Sequence, residues 1–142
     1  MAQATRTVGP GTYVRDANKP TLVAQGDLSA DTDGSWVQVD RPCDVLVEVV
    51  LGTIAAGVSA FDIEIFGSDT GSGAGTNVVS YGRFGAIGPS DDNSTLVMAA
   101  HVYKPYMRYK ADHTGSGACN VGIFVRTPHD RVTDSSTANP SI

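Results

Sequence analysis

The chain has 142 residues, a formal net charge of −5, 41% hydrophobic residues and two cysteines. This length suits one domain with a hydrophobic core, and the acidic balance argues against nucleic acid or an anionic membrane as the partner. No stretch approaches the roughly 18 apolar residues of a membrane span, and the first residues lack the apolar run of a secretory signal. In a chain without that signal we expect Cys43 and Cys119 to be free thiols, with a disulfide as the alternative.

Both ends of the sequence lack a sustained hydrophobic period. Residues 1–34 are predicted to form an extended N-terminal arm in which Thr21–Ala24 is compatible with a short strand, and residues 128–142 a polar C-terminal tail. We expect residues 1–25 to be ordered mainly by contacts outside their own domain, so that deletion of residues 1–20 leaves the domain folded but weakens attachment to a partner. The arm residues predicted to contact that partner are Val8, Tyr13, Arg15, Leu22 and Val23.

Residues 35–127 show the alternation of apolar and polar residues that is typical of β-strands. Asp44–Leu51 is the most apolar segment, and only Glu48 is polar on its outward side, which predicts a central strand covered on both faces. Thr95–Val102 has helical propensity, but its length and the nearby Pro105 favour a strand. The pattern predicts an all-β domain, an antiparallel β-sandwich or jelly roll. Eight alternating residues are predicted to be buried in its core: Val45, Val47, Val49, Phe61, Ile63, Ile65, Ile123 and Val125.

The pentapeptide Thr-Gly-Ser-Gly-Ala occurs twice, at Thr70–Ala74 and at Thr114–Ala118, each time between apolar stretches. Glycine accepts positive φ, and Ser and Thr hydroxyls bond to nearby backbone, so both copies are predicted to be hairpin loops. Across the second loop, Tyr106–Ala111 is predicted to pair with Asn120–Arg126. No helix follows either copy, which argues against a phosphate-binding loop.

The residues that carry chemistry in many proteins are present but scattered. His101, His113 and His129 belong to no His-x-x-x-His or His-x-His set, and Asp31–Ser35 lacks the further ligands of a calcium loop. Gly57–Phe61 lacks the last glycine of a nucleophile elbow and precedes a strand. We therefore predict no enzyme activity, and no catalytic, cofactor-binding or metal-binding residues.

Tyr106, Arg108 and Lys110 alternate along one predicted strand, and they therefore share one face of it. That face combines an aromatic ring with two cations, and it is predicted to be a partner-binding surface. The alternative is an ordinary polar sheet face that carries an amphipathic tyrosine.

The irregular arm that leads into Gly34-Ser-Trp36-Val, and the segment Tyr106–Asp112 followed by Thr114–Val125, resemble small virion proteins of tailed bacteriophages, in particular capsid decoration (cement) proteins. The resemblance is one of style and covers about residues 34–127. It implies a β-sandwich on the outer surface of an icosahedral capsid, which it stabilises by bridging capsid subunits. The implied partners are the major capsid protein and further copies of the chain, as a homotrimer or homodimer at a symmetry axis. The resemblance implies location in the virion, with no cofactor, nucleic acid or membrane.

Two other functions remain open at this stage. One is a different phage head or tail component, such as a connector, a tail protein or the base of a head fibre. The other is a carbohydrate-binding β-sandwich module, for which the candidate ring platforms are Trp36, Tyr103, Tyr106 and Tyr109.

Overall fold

The computed structural model describes residues 21–39 and 43–126. These residues form nine strands and a single turn of 3-10 helix at Pro89–Asp91. The strands are β1 (Thr21–Leu28), β2 (Thr32–Asp33), β3 (Val37–Gln38), β4 (Cys43–Ile54), β5 (Val58–Ser68), β6 (Val79–Ile87), β7 (Thr95–Val102), β8 (Tyr106–Gly115) and β9 (Cys119–Arg126).

The strands belong to two sheets that pack face to face, which confirms the predicted antiparallel β-sandwich. One sheet has four strands in the order β1-β9-β4-β7, and the other has the order β2-β8-β5-β6, with β3 also paired to β8. Every pairing is antiparallel.

The core lies between the two sheets and is built from the inward side chains of the alternating strands. All eight residues that the alternation predicts to be buried are at most 1% exposed. Residues 95–102 form β7, as predicted, because Leu96, Met98 and Ala100 turn towards this core while the residues between them are exposed. Cys119 is a free thiol within the core, where burial raises its pKa.

The two Thr-Gly-Ser-Gly-Ala loops have different positions in the fold. Thr70–Ala74 lies in the hairpin between β5 and β6, as predicted. Thr114–Ala118 instead connects β8 in one sheet to β9 in the other, so the predicted pairing of Tyr106–Ala111 with Asn120–Arg126 is wrong. The positive φ angles of Gly115 and Gly117, +104° and +89°, let the chain turn there. Turn chemistry reverses the chain but does not determine which sheet receives the next strand.

The sandwich includes part of the segment that was expected to be an arm. β1 pairs with β9 from Thr21 to Leu28, with two register irregularities, and Leu22 is only 8% exposed in the core. The sheet therefore begins at Thr21 and not at Ser35, because β1 provides β9 with a hydrogen-bonding neighbour on the side away from β4. Residues 21–25 thus make contacts within their own domain. Residues 1–20 and 128–142 lie outside the described residues.

Candidate functional site

The outward side of β8 carries the three residues that the sequence places on one face. Met107, Tyr109 and Ala111 point into the core and are 0%, 5% and 0% exposed. Tyr106 and Arg108 are half-buried on the opposite side, and Lys110 is exposed. The alternation along this strand therefore places Tyr106, Arg108 and Lys110 on the outer surface of the five-stranded sheet.

Trp36 lies next to these residues, although it is distant from them in sequence. The Arg108 guanidinium carbon is 4.4 Å from the centre of the Trp36 ring, a cation–π arrangement. The ring nitrogen of Trp36 donates a hydrogen bond of 3.0 Å to the carbonyl of Gly73. Trp36 is brought here because the adjacent strand β3 pairs with β8, with Val37 opposite Met107. Trp36, Tyr106, Arg108 and Lys110 are called the basic–aromatic face below.

The first glycine-rich loop supports the aromatic rings of this face. A Cβ atom on Gly71 would lie 2.5 Å from the Tyr106 ring, and one on Gly75 would lie 2.7 Å from the Trp36 ring. Gly75 also has a φ of +84°, a conformation that favours glycine. The rings therefore pack directly on the loop backbone, and this loop is a platform for side chains.

Hydrogen bonds within the loop keep that platform in place. The buried Ser68 hydroxyl donates to the carbonyl of Thr70 at 2.7 Å and accepts from the Thr76 amide at 2.8 Å. The Asp69 amide donates to the Thr76 carbonyl at 2.9 Å, and the Asn77 side chain donates to the Asp69 carboxylate at 2.8 Å. The hydrogen bond from Asn77, followed by the one from Lys104, lowers the pKa of Asp69.

Arg108 and Lys110 differ from the other cations in the described part of the chain. Arg83, Lys104 and Arg126 each form a salt bridge with a carboxylate. Within residues 21–39 and 43–126, Arg108 and Lys110 form none, and the buried Nε of Arg108 has no hydrogen-bond partner. The face therefore presents two cations that form no salt bridge with a carboxylate of these residues.

Two carboxylates lie opposite Lys110 on the same sheet, Asp33 in the register of β2 and β8 and Glu64 in the register of β5 and β8. Glu64 already has other partners. Its carboxylate accepts hydrogen bonds of 2.7 Å from Arg83 and 2.7 Å from Ser80. These bonds, that from Arg83 first, lower the pKa of Glu64. Lys110 therefore lies beside a carboxylate that is already neutralised by a neighbour.

The eight residues predicted to bind a partner are in three different situations. Tyr106, Arg108 and Lys110 lie together on the basic–aromatic face. Leu22 is in the core and Val23 packs against it, so neither projects from an arm, which corrects the prediction that they are available to a partner. Val8, Tyr13 and Arg15 lie outside the described residues. The sequence did not indicate that Trp36 joins the three, because that contact depends on the pairing of β3 with β8.

The histidines occupy separate places in the fold. His101 contacts Asp44 at 2.7 Å on the surface of the four-stranded sheet, while the His113 ring contacts the Gly117 carbonyl at 2.8 Å. His129 lies outside the described residues. No group of three or more His, Cys, Asp or Glu side chains within the described ranges is arranged to hold a metal ion.

Three aspartate carboxylates, those of Asp31, Asp91 and Asp92, accept hydrogen bonds from backbone amides. An Asp31 carboxylate oxygen accepts from the His113 amide at 2.7 Å, and an Asp92 oxygen accepts from the Ile54 amide at 2.6 Å. Asp91 accepts from the Gly88 amide at 2.9 Å, at the start of the 3-10 turn. Within residues 21–39 and 43–126, no helix is long and apolar enough to cross a membrane.

Comparisons with known proteins give likenesses to solved structures. No protein-family model and no curated protein matches the chain. Among solved structures, it is similar to the carbohydrate-binding module CBM6cm-2 of lichenase 5A from Cellvibrio mixtus, solved in complex with cellotriose. The identity is 11%, the match covers 85% of this chain and 100% of the module, and the TM-score is 0.45.

Proposed function

We propose that this chain is a non-enzymatic structural protein of a tailed-bacteriophage virion, which binds the outer surface of the capsid through its basic–aromatic face. The proposal combines the resemblance carried by residues 34–127 with the chemistry of one surface of the sandwich. The major capsid protein is the proposed partner, and copies of the chain related by a symmetry axis bind together as a homotrimer or homodimer.

The observation that carries the proposal is the contrast between the cations of the described residues. Arg108 and Lys110 lack carboxylate partners, whereas Arg83, Lys104 and Arg126 each have one. A partner carboxylate on this face gains the ion pairs that the described residues do not give to Arg108 and Lys110.

Aromatic side chains next to these cations suit a protein partner. Tyr, Trp and Arg are the residues most enriched among those that dominate the energy of protein–protein interfaces. Here Trp36 and Tyr106 are held against a glycine-rich loop, so little side-chain freedom remains for binding to remove.

Stabilisation of a shell follows from binding linkage. A ligand that binds the assembled shell but not its separate subunits stabilises the assembly by RT ln(1 + [L]/Kd) at each site. An icosahedral shell repeats the site many times, so a modest affinity at each site adds up over the particle. This function requires a binding surface and no catalytic group.

The test is to purify virions from cells that produce this chain and to count its copies per particle by quantitative mass spectrometry. The proposal predicts hundreds of copies on the outside of the head and a loss of heat resistance in particles that lack the protein. About a dozen copies would indicate a connector or tail component, and absence from the particle would refute the proposal.

A carbohydrate-binding module is the second candidate, because the rings of Trp36 and Tyr106 both pack on the glycine-rich loop of one sheet. The Trp36 ring has Arg108 stacked over it at 4.4 Å, which leaves less of the ring available to a sugar than an open platform would have. A glycan array separates the two functions: saturable glycan binding that is lost in Trp36→Ala supports this candidate, and its absence leaves the virion protein as the better account.

A further inference from the structure

The four-stranded sheet ends at β7, and the free edge of this strand is regular and uncharged. β4 lies on one side of β7, and among residues 21–39 and 43–126 no strand pairs with its other side. Its eight residues, Thr-Leu-Val-Met-Ala-Ala-His-Val, include no proline, glycine, lysine, arginine or carboxylate. They follow β4 from the pair of Val50 with Thr95 to the pair of Cys43 with Val102 without a register irregularity.

The other edge strands carry features that hinder pairing with a further strand. β1 has two register irregularities against β9 and contains Gly26 and Asp27. β6 has two against β5, and it contains two glycines and Arg83. β2 and β3 have only two residues each. Bulges, charges and short strands protect sheet edges, because an unprotected edge is a template for another chain. Among the edges of the described residues, β7 alone lacks this protection.

One hydrogen bond shows which backbone groups of β7 face its free edge. The Leu51 amide donates to the Ser94 carbonyl at 2.8 Å, one step beyond the pair of Val50 with Thr95. Because backbone groups alternate in direction along a strand, the even-numbered residues of β7 bond to β4. The residues whose amides and carbonyls point away from β4 are therefore Thr95, Val97, Ala99 and His101.

A second copy of β7 satisfies these groups by antiparallel pairing around a two-fold axis at Met98. Thr95 then lies opposite the partner's His101, Val97 lies opposite the partner's Ala99, and the axis repeats both pairs. Each of these pairs exchanges two hydrogen bonds, which gives about eight in total. An axis one residue away, at Val97 or at Ala99, loses one of the pairs and its two hydrogen bonds.

The side chains of β7 are compatible with the same register. The residues that face the free edge all have exposed, outward side chains, so a sheet paired through them keeps both cores on one side. Val97, which is 57% exposed, then lies beside the smaller Ala99 of the other copy, and Leu96 lies beside Ala100 on the inner side. Large side chains thus face small ones, and no like charges lie opposite each other.

We propose that two copies of this chain associate through β7 and form one continuous eight-stranded sheet around a two-fold axis at Met98. The interface is isologous, since each copy contributes the same strand, and it closes as a dimer. The strand complements itself in hydrogen-bond direction and in side-chain size, which favours a second copy over a different protein. The dimer does not depend on a role in a virion, and it does not involve the basic–aromatic face, which lies on the other sheet.

Sedimentation velocity of the full chain measures this association. We expect the unchanged protein to shift from the monomer mass of 14.8 kDa to twice that mass as its concentration rises through the micromolar range. A trimer would overturn the proposal, because an isologous pair of strands closes with two copies. A monomer at every concentration up to about 1 mM would also overturn it and would leave the edge open to a different protein.

Two variants with changes at the same positions test the register. Val97→Lys with Ala99→Lys places lysines opposite each other on both sides of the axis, whereas Val97→Lys with Ala99→Glu places each lysine opposite a glutamate. Both positions are exposed, so both variants keep the fold. We expect the dimer dissociation constant of the double-lysine variant to be about thirtyfold higher than that of the lysine–glutamate variant. Equal constants would overturn the proposal.

Amide exchange followed by NMR identifies the edge that the second copy covers. In a monomer the amides of Leu96, Met98 and Ala100 bond to β4 and exchange slowly, while those of Val97 and Ala99 exchange fast. We expect exchange at Val97 and Ala99 to slow about tenfold or more as the unchanged protein dimerises. The double-lysine variant should keep the alternating pattern at concentrations where the unchanged protein is a dimer. A dimer in which Val97 and Ala99 still exchange fast would show that the copies associate elsewhere, and this result would overturn the proposal.

Discussion

The two sheets share one core but differ in what they present on their outer faces. The five-stranded sheet carries charged and aromatic side chains, and its glycine-rich loop holds Trp36 and Tyr106 in place while Arg108 and Lys110 lack carboxylate partners. The four-stranded sheet carries Leu46, Val50, Val97 and Ala99, with Glu48 already paired. The same alternation of side chains thus produces two surfaces of different character. One is charged and aromatic, and the other is largely apolar.

A charged residue in the core between the two sheets should lower the free energy of unfolding more than any other change. Val47 is 0% exposed in β4, so Val47→Asp places a charge in the core without a partner. We expect a loss of about 3 kcal/mol or more in the free energy of unfolding, measured by chemical denaturation. Val97→Asp on the neighbouring strand is the control and should change stability by about 0.5 kcal/mol or less, because Val97 is 57% exposed. Similar losses in both variants would mean that Val47 is no more buried than Val97.

A smaller effect is expected at the platform of the basic–aromatic face. The methyl group of Gly71→Ala would lie 2.5 Å from the Tyr106 ring and must displace it. We expect a cost of about 1–2 kcal/mol together with a changed environment of Tyr106 in near-ultraviolet circular dichroism. Gly88→Ala is the control, since nothing lies within 4 Å of the added methyl group. An unchanged Tyr106 signal in Gly71→Ala would show that the ring does not rest on the loop.

The sequence predicts features that arise within one strand, but it does not predict features that depend on pairing between distant strands. Period-2 alternation identifies the buried residues and places Arg108 opposite Met107, because both follow from the geometry of one strand. The alternation does not identify β1 as a strand of the sandwich, because register irregularities between Thr21 and Gly26 interrupt it. The contact of Trp36 with Arg108 and the assignment of β8 and β9 to different sheets depend on pairing between distant strands, which no local pattern contains.

The lowered pKa of Glu64 should make stability depend on pH, and this effect should be the smallest. The hydrogen bond from Arg83 lowers the pKa of Glu64 below its ordinary value of 4.5. The resulting stabilisation is fully present above pH 4.5 and is lost as the pH falls through the lowered pKa. We expect Glu64→Gln to reduce the change in melting temperature across this acidic range by a small amount, because solvent screens a surface pair. If the melting temperature of Glu64→Gln changed with pH as much as that of the unchanged protein, Glu64 would not be the group responsible.

Titration of labelled protein onto purified capsids shows whether the basic–aromatic face binds a capsid. The variant Arg108→Ala with Lys110→Ala removes the two unpaired cations. The control Arg83→Ala with Lys104→Ala removes two ion-paired cations and changes the net charge equally. We expect the first variant to weaken binding about a hundredfold, as the loss of two hydrogen bonds to charged groups implies, and the control to change it little. Equal affinity in the two variants would contradict binding through this face.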